Sequence, residues 1–244
     1  MALSTASPGE GTPEADWAPL LSTLPVHDGA LGVARVIVLA PHPDDEVLGC
    51  GGALQRWAVQ GTLEIWHVTT GELSHGPCTD AAAYGGLRRD ESLHASSELA
   101  LGPHSRRWLD HRHGQVDELA LERELCLALD PRSAVIAPLP FDGHPDHDAV
   151  GRAARRAAHA RGARATYYAV CAWHDFRPND PALPVERAWR MPLTPLERSR
   201  KAHALACFQS QITPRAESEA VLPPRMLAHF MRTDEIFFDQ GSPR

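Results

Sequence analysis

No run of about 18 consecutive apolar residues occurs in this 244-residue chain, so it contains no sequence signature of a helical membrane span. Its start lacks a basic segment followed by an apolar one, and no secretory leader is predicted. Cysteine is sparse: Cys50, Cys78, Cys126, Cys171 and Cys207 are odd in number and widely spaced, with no CxxC pair. That excludes a disulfide framework and predicts reduced thiols in a cytoplasmic protein, with Cys50 a small buried helix residue. Positive charge is neither in excess nor clustered. The 24 Lys and Arg are scattered against 31 Asp and Glu, for a net charge of −7. This argues against nucleic acid as a partner, which needs a basic face.

What is present suffices for a full core. At 43% hydrophobic, the chain is predicted to form one large α/β domain over residues 16–244, preceded by a disordered arm at 1–15. Apolar or β-branched runs at 34–40, 62–69, 106–109, 133–139 and 166–172 alternate with helical stretches at 46–60, 88–101, 117–129 and 148–160. Such alternation predicts a Rossmann-like three-layer sandwich with a mainly parallel sheet. A long loop is expected from 70 to about 86. The Pro- and Trp-rich stretch 173–194 reads as a surface insertion, and Thr194-Pro195 as the cap and first residue of a helix to about Phe208. Residues 209–224 are expected to be loop, and Ile236-Phe237-Phe238 a closing edge strand.

The chemistry-bearing residues gather after two of these strands. His42-Pro43-Asp44-Asp45-Glu46 follows Val36-Ile37-Val38-Leu39, and Asp142-Gly143-His144-Pro145-Asp146-His147-Asp148 follows Ala134-Val135-Ile136-Ala137. In open α/β sheets ligands bind at the carboxyl ends of the strands. A catalytic zinc site takes three His, Asp or Glu ligands and keeps one position open. His42 and Asp45, three residues apart, supply two, and His144 or His147 the third if the two strands are neighbours. Asp44, between the two ligands, suits a general base that takes a proton from water. Acidic residues at a helix N-terminus also suit the helix dipole. That explains Glu46 as well as chemistry does, but leaves the histidines unexplained.

At these residues the chain resembles the PIG-L/LmbE family of zinc-dependent N-deacetylases, over roughly residues 34–172 and with both motifs in order. The resemblance implies His42, Asp45 and His147 as zinc ligands and Asp44 as the general base. It implies a positively charged His144 that stabilises the tetrahedral oxyanion and can protonate the leaving amine, with Asp146 orienting and charging it, and Glu46 supporting the loop. Arg88, Arg89 and Glu91 resemble an R-x-E region near the substrate pocket, and Thr70-Gly71-Glu72 a strand-end TxGE at the pocket wall. Trp173 and His174 are expected at the same rim. Asp142 stands where many relatives carry an aromatic residue and is a further substrate candidate. The segments Phe208-Gln209-Ser210-Gln211 and 221–227 resemble an uncharacterised bacterial branch. Residues 173–244 are thus expected to form an extension on the substrate side.

The implied reaction is removal of an acetyl group from an N-acetylglucosamine-type conjugate, with zinc, or Fe2+ or Co2+, as the cofactor. A small-molecule amino sugar is the expected partner, and relatives are often homo-oligomers. The rival enzyme reading is an amidohydrolase acting on another N-acyl group in secondary metabolism. A methyltransferase reading of Leu48-Gly49-Cys50-Gly51-Gly52 fails on position. Those glycines stand well beyond the strand end, with the His42–Glu46 loop between. A degenerate binding protein is disfavoured because every residue of the implied catalytic set is present.

Overall fold

Each predicted parallel strand forms, and all of them join one sheet. The computed structural model describes residues 11–76, 80–102, 104–215 and 218–239. Five strands run parallel: β1 (Arg35–Ala40), β2 (Thr62–Thr69), β3 (Ser105–His111), β4 (Ser133–Pro138) and β5 (Arg164–Tyr168). With β6 (Ala188–Pro192) and β7 (Asp234–Asp239) the sheet order is β3-β2-β1-β4-β5-β7-β6, and β7 is antiparallel to both its neighbours. The central strands β1 and β4 are buried almost throughout, as continuous apolar runs covered on both faces require.

The helices are α1 (Glu14–Ser22), α2 (Asp45–Gln60), α3 (Ala81–Glu98), α4 (Glu118–Ala128), α5 (Pro145–Arg161), α6 (Cys171–Asp175), α7 (Pro195–Ala206), α8 (Gln209–Ile212) and α9 (Pro224–Leu227). Among the described residues no helix is long and apolar enough to cross a membrane. From β1 the chain winds outward to β2 and β3 on one side, and from β4 to β5 on the other. The sheet therefore reverses its winding between β1 and β4, which pair in register from Arg35↔Ser133 to Val38↔Ile136. Loops leaving these two strands must diverge and open a crevice at their carboxyl ends.

Several boundaries differ from expectation, for local reasons. Of the arm expected over 1–15, residues 1–10 lie outside the described residues, as does Cys78, and Glu14 already opens α1. Helix α3 starts at Ala81 rather than Arg88, so the loop after β2 is shorter than predicted. Three alanines favour the helix, and Asp80 caps it by accepting from Ala83 N at 2.8 Å. Gly85 lies inside this helix because it packs against Thr70, whose Oγ1 would meet an added Cβ at 2.7 Å. Strand β5 stops at Tyr168, and the following residues turn into α6. The stretch 173–194 is no mere insertion, since it contributes β6. That strand, not β7, forms the edge, while Phe237 and Phe238 are buried between β5 and β6. Within the expected loop 209–224, residues Gln209–Ile212 form α8. The Thr194 cap appears as expected, as a full capping box with Glu197.

Helix α2 has a non-helical residue, Cys50, at φ −146°, and the break leaves amides that need partners. Glu235 supplies them, accepting from Gly52 N at 2.7 Å and Ala53 N at 2.8 Å. Lys201, the only lysine of the sequence, pairs with Glu235 at 2.7 Å and donates to Leu48 O at 2.8 Å. Both side chains are buried, so α2, α7 and β7 are tied by one ion pair. Lys201→Met leaves a buried carboxylate without its cation and is expected to lower stability by about 3–5 kcal/mol in chemical denaturation. A loss under about 1 kcal/mol would show that the two amides alone satisfy Glu235.

Candidate metal centre and active site

The crevice at the β1/β4 reversal holds both predicted clusters. His42 lies in the turn after β1, and its N–H donates to Asp45 Oδ2 at 2.8 Å, so the turn itself aims the carboxylate back at the imidazole. His147 arrives from the first turn of α5. His42 Nδ1, Asp45 Oδ2 and His147 Nε2 form a nearly equilateral triangle with sides of 3.3, 3.3 and 3.2 Å. Three ligands of a tetrahedral ion, each at about 2.0–2.1 Å, stand about 3.3–3.4 Å apart. The donor set and its spacing thus fit a zinc-sized cation, and all three residues are buried.

The far nitrogen of each imidazole is braced by a carboxylate. His42 Nε2 meets Asp146 Oδ2 at 3.1 Å, an oxygen that also accepts from Gly114 N at 2.8 Å. His147 Nδ1 meets Asp142 Oδ2 at 2.7 Å. Asp142 in turn accepts from the amides of Val170, Cys171 and Ala172, where β5 runs into α6. This carboxylate–histidine arrangement fixes ring orientation and raises ligand basicity. His147 and His42 hold the Asp45 carboxyl well below its ordinary range despite burial.

Asp44 sits beside the triangle in a backbone conformation rare for a residue with a side chain, φ 138°. Its N–H donates to Glu46 Oε2 at 3.1 Å, and its carbonyl accepts from Val47 N and Leu48 N, which starts α2. Glu46 is itself held by His67 and Ser92, each 3.2 Å from Oε1. Arg88 Nη2 reaches Asp44 Oδ2 at 3.1 Å and Pro43 O at 2.5 Å, with its side chain buried. Burial pushes the Asp44 carboxyl up to about 7, against the Arg88 guanidinium that opposes it. A carboxylate with that value is matched to proton transfer near neutral pH. Gly71 is required here: it has φ +64°, and an added Cβ would stand 2.8 Å from Arg88 Nη1.

His144 precedes α5, and its Nδ1 accepts from Asp146 N at 3.1 Å. Burial, then the neighbouring His147 and His42, push this imidazole down to about 3. A neutral ring that accepts at Nδ1 carries its proton on Nε2, which has no partner among the described residues, and His144 lines the cleft. The open cleft above the triangle has a volume of about 830 Å3 and extends past His174 and Arg177 to Leu222 and Met226.

A sequence profile of the PIG-L family, described as GlcNAc-PI de-N-acetylase, matches residues 37–158, half of the chain, and both clusters fall inside the match. The chain belongs to the PIG-L family. A diacetylchitobiose deacetylase of Thermococcus kodakarensis is 30% identical over 128 residues, which is 49% of this chain and 47% of that protein. The alignment thus spans about half the length of that curated relative. Among solved structures, a conserved protein of Thermus thermophilus superposes with a TM-score of 0.60 at 25% identity, over 84% of this chain and 94% of that one. The N,N'-diacetylchitobiose deacetylase of Pyrococcus horikoshii does so with a TM-score of 0.62 at 18% identity, over 94% and 93%.

Within this PIG-L chain the structure brings His42, Asp44, Asp45, His144 and His147 around one cleft, with Arg88 beside them. Other expectations need correction. Asp142 is wholly buried beneath His147 and its amides use it up, so it offers nothing to substrate. Asp146 accepts from His42 rather than bonding His144 through its side chain, and the surroundings of His144 favour the neutral ring over the expected positive charge. Arg89 pairs with Asp110 and covers Trp108 on another face. Glu72 braces the loop after β3, accepting from His113 N at 2.9 Å. Trp173 is buried against Trp17, with ring centroids 4.9 Å apart, while His174 does reach the cleft.

His113 was missed. Its ring lies 4.7 Å from that of His42 on the cleft wall, and burial followed by His42 pushes it down to about 4. The signal was present, because Arg112-His113-Gly114 follows β3 at the same end of the sheet. His42, His113, His144 and Asp146 form a second group with metal-ligand atoms close together. There, however, His42 and Asp146 bond each other and His144 keeps its proton on the free nitrogen, so the three-residue triangle is the better cation site.

Two outcomes follow from this geometry. Asp142→Asn, which weakens the brace on His147, is expected to reduce zinc affinity about 10- to 100-fold in competition with a chelator. Unchanged affinity would remove Asp142 from the metal's support. Arg88 favours the charged form of Asp44, so Arg88→Leu raises the Asp44 pKa. The acid limb of the pH–rate profile is then expected to move upward by roughly one unit or more. A shift to lower pH would contradict the pairing.

Proposed function

We propose that this chain hydrolyses the N-acetyl group of an amino-sugar conjugate of the N-acetylglucosamine type, releasing acetate and a free amine. The observation that carries the reading is an ion-sized triangle of two imidazoles and a carboxylate with Asp44 beside it, its carboxyl near neutrality. His42, Asp45 and His147 would hold a divalent cation, with zinc preferred and Fe2+ or Co2+ as alternatives. Such an ion polarises a carbonyl oxygen and acidifies water.

This chain's own residues then divide the proton work. Asp44, ionised at and above neutral pH, takes a proton from the water that attacks the acyl carbon. Arg88 keeps Asp44 oriented and favours its charged form. His144 lines the cleft, and its Nε2–H would donate there to the oxygen that becomes negative as the carbonyl turns tetrahedral. When the C–N bond breaks, Asp44 returns its proton to the departing nitrogen, so acetate and amine leave and the base is restored. The low pKa of His144 supports hydrogen-bond donation rather than proton delivery. From 173–244, which also supplies β6 and β7 of the sheet, His174, Arg177, Leu222 and Met226 line the cleft and are proposed to face substrate. The cytoplasmic setting is proposed from the sparse, widely spaced cysteines of the sequence.

Acetate release from N-acetylglucosamine conjugates tests the reading directly. Chelation is expected to abolish release and zinc to restore it. Asp44→Asn is expected to keep the metal while losing at least about 100-fold in kcat. Release that survives chelation, or that is undiminished in Asp44→Asn, would refute this assignment of roles.

A further inference from the structure

The short helix α8 is fastened to α3 and to the loop after β2, yet the chemistry above leaves it without a task. Ser210 N and Ser210 Oγ both donate to the Glu91 carboxylate, at 2.7 Å each. The next residue, Gln211, is 1% exposed. Its Nε2 donates to Tyr84 Oη at 2.7 Å and to Ser210 Oγ at 2.9 Å, and stands 3.4 Å from Ser74 Oγ. The orientation of the amide follows from proton bookkeeping. Ser210 has one hydroxyl proton, and Glu91 takes it, so toward Gln211 the serine oxygen can only accept. The NH2 end of Gln211 is therefore locked inward and its Oε1 turned the other way.

That Oε1 has no hydrogen-bond partner among the described residues, and Gln211 is part of the wall of the cleft that contains Asp44. The inward NH2 end, opposite to Oε1, is linked to the base through a chain of contacts by way of Ser74. Ser74 Oγ accepts from Arg88 Nη1 at 3.2 Å, and the other terminal nitrogen of Arg88 bonds Asp44. An amide carbonyl oriented in advance, on a residue of the same cleft wall, is a ready acceptor for a substrate donor.

We infer that Gln211 is a specificity-determining residue, its Oε1 accepting a hydrogen bond from one hydroxyl of the sugar whose N-acyl group lies at Asp44. This rests on the amino-sugar reading above. A site built to bond a hydroxyl discriminates against the analogue that lacks it.

The test crosses one residue with single hydroxyls. Acetate release by the metal-loaded wild type and by Gln211→Leu is measured on methyl N-acetyl-β-D-glucosaminide and its 3-, 4- and 6-monodeoxy analogues. Kd for the same four compounds is measured by calorimetry in the Asp44→Asn background, with and without the Gln211 substitution. In the wild type one monodeoxy analogue is expected to lose about 3- to 10-fold. In Gln211→Leu the parent falls by a similar factor and that analogue no longer differs from it. An equal loss on all four compounds, as from a residue that only braces α8, would overturn the inference, and so would unchanged deoxy penalties. Gln211→Met carries the same expectation if the leucine variant does not fold. Binding without acetate release would refute the deacetylase reading while the Kd cycle still decides the hydrogen bond. Failure of all four compounds to bind would overturn the inference itself.

Discussion

The parallel pairing of β1 with β4 is the constraint on which the site depends. His42 and His147 are 105 positions apart in sequence, yet their ring nitrogens stand 3.2 Å apart. Only adjacent strands pointing the same way can deliver a turn and a helix start to one point at the carboxyl edge. The two strands are adjacent because both are apolar on both faces and belong at the centre of a covered sheet. Asp45 reaches the point from the β1 side through its bond to the His42 amide. Asp142 and Asp146, from the β4 side, then lock one imidazole each.

The same crowding makes the site electrostatically tense. Asp44, Asp45, Glu46, Asp142 and Asp146 are all at most 5% exposed, and among the described residues Arg88 is the permanent cation that bonds one of them directly. Buried carboxylates without compensating charge are costly, so they share protons with imidazoles or await a cation. The molecule distributes this load unevenly. Asp45 and Asp146 are held ionised by histidines, whereas Asp44, with less support, rises to about 7. The backbone strain at Asp44, held by Glu46 Oε2 and by the first turn of α2, places the least stabilised carboxylate at the cleft. Strain and a raised pKa on the same residue support the proposed role of Asp44 as the base.

Much of this could be read in the sequence. The strand ahead of each cluster, the alternation of elements and the Thr194 cap depend on local pattern, and the two clusters carry the metal-ligand types at strand ends. What escaped depends on contacts between distant segments. The place of Asp142 is decided by three amides about 28 to 30 residues further on, which no spacing announces. Ile236-Phe237-Phe238 read as an edge, although a continuous apolar run is the mark of a strand covered on both faces. It is inserted between β5 and β6, and so short an apolar run cannot show which neighbours it will find. Gln211 was seen only as part of a motif, because its meaning lies in where Ser210 sends its proton. His113 could have been found by applying the strand-end rule to β3.

X-ray absorption at the zinc edge, on protein loaded with one equivalent of zinc, tests the central claim most directly. Two imidazoles with oxygen ligands and no sulfur are expected, and the spectrum should be unchanged in His144→Ala. Three or more imidazoles, a thiolate, or a spectrum altered by the loss of His144 would contradict the triangle of His42, Asp45 and His147.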